Sequence, residues 1–152
     1  MKHYDHDWRE DCTGVTILMS VCYRCDHAAQ VSQVRRLLAA GAQVGAVDDG
    51  GRTALMYACA NMECDNNCRV ATVQALIAVG ARVNAVDKVG ETALMKTSAV
   101  GKPWSDESTT RALLESGADK RLKNFEGKTA LDIARNGMNT SKPNIIALLK
   151  GS

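Results

Sequence analysis

One phrase recurs four times along the chain: Thr16-Ile17-Leu18-Met19, Thr53-Ala54-Leu55-Met56, Thr92-Ala93-Leu94-Met95 and Thr129-Ala130-Leu131-Asp132, at spacings of 37, 39 and 37 residues. A period of this size describes a stack of small units. None of them can bury an apolar face alone, so each is stable only against its neighbours. Such a pattern builds a surface extended along the stack in place of one globular core with a catalytic cleft.

A second anchor is the doublet Gly-Ala at Gly41-Ala42, Gly80-Ala81 and Gly117-Ala118, and the next Thr lies 12 residues after each of these glycines. The fixed segment reads as a helix end, an extended turn and a helix start. Each doublet glycine can adopt the left-handed conformation that closes a helix. Asp48, Asp87 or Asn124 then precedes a turn glycine (Gly51, Gly90, Gly127), and the Thr hydroxyl can cap the next helix. In the last unit Thr129 and Asp132 form a pair of the capping-box type.

From Thr to the closing Gly the length varies, at 25, 27 and 25 residues, and this stretch holds two helices. The first is short, as in 53–60, with Leu55 and Ala58 facing inward. The second carries a 3.6-residue apolar stripe: Val31, Val34, Leu37 and Leu38 in the first unit, Val70, Val73, Leu76 and Ile77 in the second. The third stripe is weaker, because Glu107 and Thr110 take its first two positions. Ile145, Leu148 and Leu149 serve the last, where Pro143 suits a first helical turn.

The unit of Asp-x-x-Gly-x-Thr, short helix, loop and long helix ending in Leu-Leu-x-x-Gly-Ala resembles the ankyrin repeat over about residues 13–150. The stretch from Gly80 to Asp87, followed by Gly90-Glu91-Thr92-Ala93-Leu94, matches at nearly every anchor. The resemblance implies an all-α solenoid of stacked helix-turn-helix units with β-turn fingers. It divides the chain into a lead-in over 1–12 and one domain over 13–152, with repeats starting near Thr16, Thr53, Thr92 and Thr129. Two departures stand out. The family's Pro and His after Thr are replaced by Ala and by Met or Asp, so packing of Met19, Met56 and Met95 must replace a Thr-to-His hydrogen bond. The units also exceed the usual ~33 residues, and the surplus is expected between the helices, at 23–30, 60–69 and 99–107.

By the same resemblance, the fingers and the open side of the short helices form a concave face for a protein partner. That face would present Asp49, Arg52, Tyr57, Lys88, Val89, Glu91, Lys96, Phe125, Glu126 and Lys128. The aromatics sharpen this reading: of six, only Tyr57 falls in a repeat helix, while Tyr23 and Trp104 fall in the inserts and Phe125 in a finger. Large rings at positions that the repeat frame leaves open are candidate interface anchors. The competing reading is that inserts fold back over their own rings, and that Trp8, which with Tyr4 precedes the first repeat, caps the stack.

A net charge of +2 argues for neither nucleic acid nor membrane. The charge is uneven: Asp5, Asp7, Glu10 and Asp11 oppose Lys2 and Arg9 at the start, while 117–152 holds seven bases against three acids. The start has no apolar leader segment, and no eighteen apolar residues run together, so a cytoplasmic chain is expected, unless this is an excised fragment. The six cysteines fit reduced thiols.

Cys22, Cys25, Cys59, Cys64 and Cys68 suggest an alternative, a thiol-based zinc or redox sensor. Register favours a core role, since Cys22 and Cys59 each fall six residues after their Thr, where ankyrin repeats carry a buried Ala. His3, Asp5, His6 and Asp7 could bind a metal, but a charged terminus usually does not. With His3, His6 and His27 all near the N-terminus and no phosphate loop or nucleophile elbow, no enzyme and no cofactor are expected. Val83-Asn84 resembles a site of Asn hydroxylation, and turn stabilisation is the plainer role for Asn84. The expectation is a monomeric, non-catalytic module for another protein, of the adaptor, effector or toxin-immunity kind.

Overall fold

The computed structural model describes residues 9–10, 14–24, 27–61, 65–99, 107–136 and 143–151. A two-residue strand β1 (Arg9–Glu10) pairs antiparallel with β2 (Val15–Thr16). Four helix pairs follow among the described residues: α1 (Ile17–Tyr23) with α2 (His27–Ala39), α3 (Ala54–Ala60) with α4 (Asn66–Ala78), α5 (Ala93–Ala99) with α6 (Glu107–Glu115), and α7 (Ala130–Asn136) with α8 (Pro143–Lys150). First helices pack on first helices and second on second, giving the two layers of an all-α solenoid.

The repeated phrase explains where each unit starts. Thr16, Thr53, Thr92 and Thr129 each accept, through Oγ1, the N–H of the residue three further on, at 3.2 to 3.3 Å, which satisfies a donor left over at the helix start. In the last unit Asp132 Oδ2 reciprocates to the Thr129 N–H at 2.9 Å. In the first, the Met19 thioether takes the same part, accepting the Thr16 N–H at 3.4 Å. Met19, Met56 and Met95 are buried.

The closing glycines have φ of 93°, 97° and 93° at Gly41, Gly80 and Gly117. The following Ala N–H groups reach back to the carbonyls of Leu37, Leu76 and Leu113 at 3.0 to 3.1 Å. The glycine N–H groups bond Leu38, Ile77 and Leu114 at 3.0 to 3.1 Å, which completes a Schellman motif in each unit.

The expected surplus of each unit is distributed differently from a plain loop. Tyr23 and Ala60, expected in the first and second inserts, are instead the last residues of α1 and α3, residues 27–30 and 66–69 form the opening turns of α2 and α4, and these two helices are each 13 residues long against 9 in α6. A buried polar seam accounts for the extra turn. Gln30 Nε2 donates to the Cys22 carbonyl at 2.9 Å, and the Cys68 thiol donates to Gln30 Oε1 at 3.3 Å. Asn61 Nδ2 reaches the carbonyls of Cys22 and Arg24 at 3.4 and 3.3 Å, and Arg69, only 1 % exposed, donates to the Asn61 carbonyl. Asn61, just past α3, thus donates across units to the carbonyls at the end of α1. Most of the third insert, 100–106, lies outside the described residues.

Of the two polar positions in the third stripe, Thr110 is buried, while Glu107 is part-exposed and pairs with Arg111 at 2.8 Å. Thr97 Oγ1 donates to the Leu94 carbonyl at 2.9 Å and lies 3.3 Å from Thr110 Oγ1, so Thr110 is the donor of that pair.

Candidate partner-binding face

Each finger is built on one side chain. In the first, Asp48 Oδ1 accepts the N–H groups of Gly50 and Arg52 at 2.9 and 2.8 Å. In the second, Asp87 Oδ1 accepts those of Val89 and Glu91 at 3.0 and 2.9 Å, and in the third Asn124 Oδ1 accepts those of Glu126 and Lys128 at 3.0 Å. Gly51, Gly90 and Gly127, at φ of 74°, 79° and 77°, supply the left-handed residue these loops need. The fingers are joined edge to edge, since the Lys88 N–H donates to the Gly50 carbonyl at 2.9 Å and the Phe125 N–H to that of Val89 at 3.0 Å.

A carboxylate has a second oxygen, and the residue four past each Thr uses it. Tyr57 donates its hydroxyl to Asp48 Oδ2 at 2.7 Å, alongside Arg52 Nε at 2.8 Å. Lys96 Nζ lies 2.8 Å from Asp87 Oδ2 and 2.6 Å from Glu91 Oε2. In the third finger the amide of Asn124 offers no second acceptor, and the corresponding residue is Ile133, which has no donor. Burial by itself would raise the Asp48 carboxyl, but the Tyr57 hydroxyl and the Arg52 N–H and guanidinium hold it below its ordinary value. Burial opposes likewise at Asp87, where Lys96 and the N–H groups of Glu91 and Val89 prevail. Tyr57 is pushed up to about 12, by burial first and then by its bond to Asp48.

Several residues expected to meet a partner are therefore engaged inside the protein. Arg52, Tyr57, Glu91 and Lys96 form the two clamps, and Glu126 pairs with Lys128 at 2.6 Å. Asp49 and Lys88 are exposed on the fingers. What stands out is apolar: Phe125 is 78 % exposed, Tyr23 58 % and Val89 55 %. The Tyr23 ring meets that of Tyr57 edge-on, with centroids 5.9 Å apart, and the Arg52 guanidinium lies 5.1 Å from the Tyr57 centroid. Tyr23, Arg52, Met56, Tyr57, Ala60 and Lys96 line a depression of about 390 Å³. Trp104, like Tyr4 and Trp8, lies outside the described residues.

Cys22 and Cys59 are buried at matching positions, and burial pushes the Cys22 thiol up to about 12. Cys68 is buried in the polar seam, and Cys25 and Cys64 lie outside the described residues, as do His3, Asp5, His6 and Asp7. Among the described residues no group of three or more His, Cys, Asp or Glu side chains is placed to hold a metal ion. Among them, too, no helix is long and apolar enough to cross a membrane. Asn84 ties its turn to the next unit, donating to the Gly117 carbonyl at 3.0 Å and accepting the Asp119 N–H at 2.8 Å.

The pairing of Asp with a donor four residues past Thr, and of Asn with Ile, is written in the sequence. Its sense emerges only when the helix is seen to reach its own finger. The profile of ankyrin repeats, three copies long, matches residues 1–87. No curated protein matches the chain.

Proposed function

The chain belongs to the ankyrin-repeat family, and we propose that it is a non-catalytic module that holds a partner protein on its fingers and the adjoining side of its first helices. Repeats of this family generally serve protein–protein interaction and are generally not enzymes. The observation that carries the reading is the contrast on this face between charged groups fixed in internal clamps and apolar groups left open at Tyr23, Val89 and Phe125. Exposed rings beside fixed polar groups are the usual anchors of a protein interface, because their burial gains apolar contact at small cost in side-chain freedom.

In this reading Tyr23, Val89 and Phe125 are the anchors. Asp49, Lys88, Glu126 and Lys128 form a charged rim that selects orientation more than affinity. Arg52, Tyr57, Glu91 and Lys96 act mainly by holding the fingers rigid. The role is that of an adaptor, an effector or an immunity protein that occupies a toxin. Affinity capture from the native source tests it: a partner held by the wild-type protein should be lost by Tyr23→Ala/Phe125→Ala while circular dichroism is unchanged. Equal capture by both proteins would overturn the assignment.

A further inference from the structure

Along the stack, three positions repeat at the side that each unit turns to the one before it. One follows the capping Thr directly, held by Ile17, Ala54, Ala93 and Ala130. The next lies four residues later, held by Val21, Ala58, Thr97 and Ala134. The third lies four before the closing Gly, held by Leu37, Leu76 and Leu113. In the later units all of these are 2 % exposed or less, whereas Ile17, Val21 and Leu37 are only half-buried. They line a groove of about 960 Å³ with Ala40, and Arg24 and Arg36 stand at it as exposed cations. Among the described residues no acidic side chain lines it.

The size of these side chains says what can cover the groove. Ala54, Ala93 and Ala130 let the neighbouring first helix approach closely, but Ile17 and Val21 in the same positions hold a second helix pair away. A thinner element fits better, and the chain supplies one. The register of β1 on β2 sets Arg9 opposite Thr16 and Glu10 opposite Val15, and the same register continued by one residue would set position 8 opposite Ile17. The segment before Arg9, residues 1–8, holds two large rings, Tyr4 and Trp8, and two carboxylates, Asp5 and Asp7, against one lysine. Eight extended residues reach about 26 Å, more than the ~10 Å length of a seven-residue helix such as α1.

We propose that residues 1–8 dock in the outer groove of α1 and α2 as the cap of the stack, with Trp8 beside Ile17 and with Asp5 and Asp7 toward Arg24 and Arg36. In that position the segment would cover the apolar side chains of Ile17, Val21 and Leu37.

Trp8 reports on this directly. Its emission is obtained in the full chain as the difference between wild type and Trp8→Phe, which removes the signal of Trp104. In the folded protein it should be blue-shifted from its position in urea and shielded from acrylamide, at every protein concentration. Arg24→Glu/Arg36→Glu alters only exposed side chains, so the fold persists, and the charge reversal repels the segment. The shift and the shielding should then be lost. Solvent-like emission from Trp8 in the folded wild type would overturn the proposal. So would a shift that survives the double reversal, which would seat the ring elsewhere, or one that appears only as concentration rises, which would make a second copy the occupant.

Discussion

The first two fingers and the third share one backbone design and differ in one atom. Asp48 and Asp87 have a second carboxylate oxygen that Tyr57 and Lys96 reach from the helix below, while Asn124 has an amide there and the corresponding helix position is Ile133. The first two fingers are therefore tied to their helices by charge-assisted bonds. The third is held by its own turn and by the neighbouring finger, through the Phe125 N–H on the Val89 carbonyl. The clamps lie where the face is polar, and the most exposed ring among the described residues, Phe125, sits on the finger without one.

The largest expected effect comes from removing a clamp. Asp48→Ala takes away the acceptor for the Gly50 and Arg52 N–H groups, Arg52 Nε and the Tyr57 hydroxyl together, and should cost about 3 kcal/mol in urea unfolding. Asn124→Ala, which loses only the two turn bonds, should cost about half of that. Equal losses would erase the distinction between the fingers.

A pair of glycine substitutions separates backbone strain from contact. Gly127→Ala, at φ +77° with nothing within 4 Å of the added Cβ, should cost about 1 kcal/mol for the left-handed conformation alone. At Gly90, φ +79°, the Cβ would lie 2.7 Å from the Phe125 ring and 2.9 Å from its backbone nitrogen. Gly90→Ala should therefore cost about 2 to 3 kcal/mol by the same thermal or urea measurement.

Transplanting the clamp is the next test. Asn124→Asp/Ile133→Lys should be more stable than its two single variants predict, with a coupling of about 1 kcal/mol in a double-mutant cycle. Asn124→Asp alone should gain nothing, because no donor faces the new oxygen.

Acid titration follows from the depressed carboxyls of Asp48 and Asp87. A folded value below the unfolded one means stabilisation that is fully present above the unfolded carboxyl's value of about 3.9 and lost as pH falls through the folded one. Wild type should thus exceed Asp48→Asn/Asp87→Asn in stability at neutral pH, and the gap should close below about pH 4. A gap that stays constant into acid would mean that the clamps act by shape alone.

The parts of this architecture that were legible in the sequence are those made by residues close along the chain. The Thr caps, the Gly-Ala helix ends and the Asx turns each join groups a few positions apart, so residue type and spacing suffice to read them. Asn61 reaches across 39 and 37 residues to the carbonyls of Cys22 and Arg24. No local periodicity announces a buried Asn, Gln and Arg, so this seam and the extra turn of α2 beside it are not legible in the sequence. At the face, the exposure of Asp49, Lys88, Val89 and Phe125 is readable from the repeat frame, but the engagement of Tyr57, Glu91 and Lys96 in clamps is not. Tyr57 and Lys96 stand at positions open to solvent in the repeat frame, and only the reach of each side chain back to its own finger reveals that they are engaged.

The smallest effect on stability should come from Phe125→Ala, below about 0.5 kcal/mol for so exposed a ring, and the same position carries the central claim. The direct measurement is photo-crosslinking in the native source, with the crosslinker placed in turn at Phe125, at Tyr23, and at Gln74 in the groove between α2 and α4. One partner should be captured from Phe125 and Tyr23 and none from Gln74. Capture from Gln74 without capture from Phe125 would place the interface on the second helices and contradict the account.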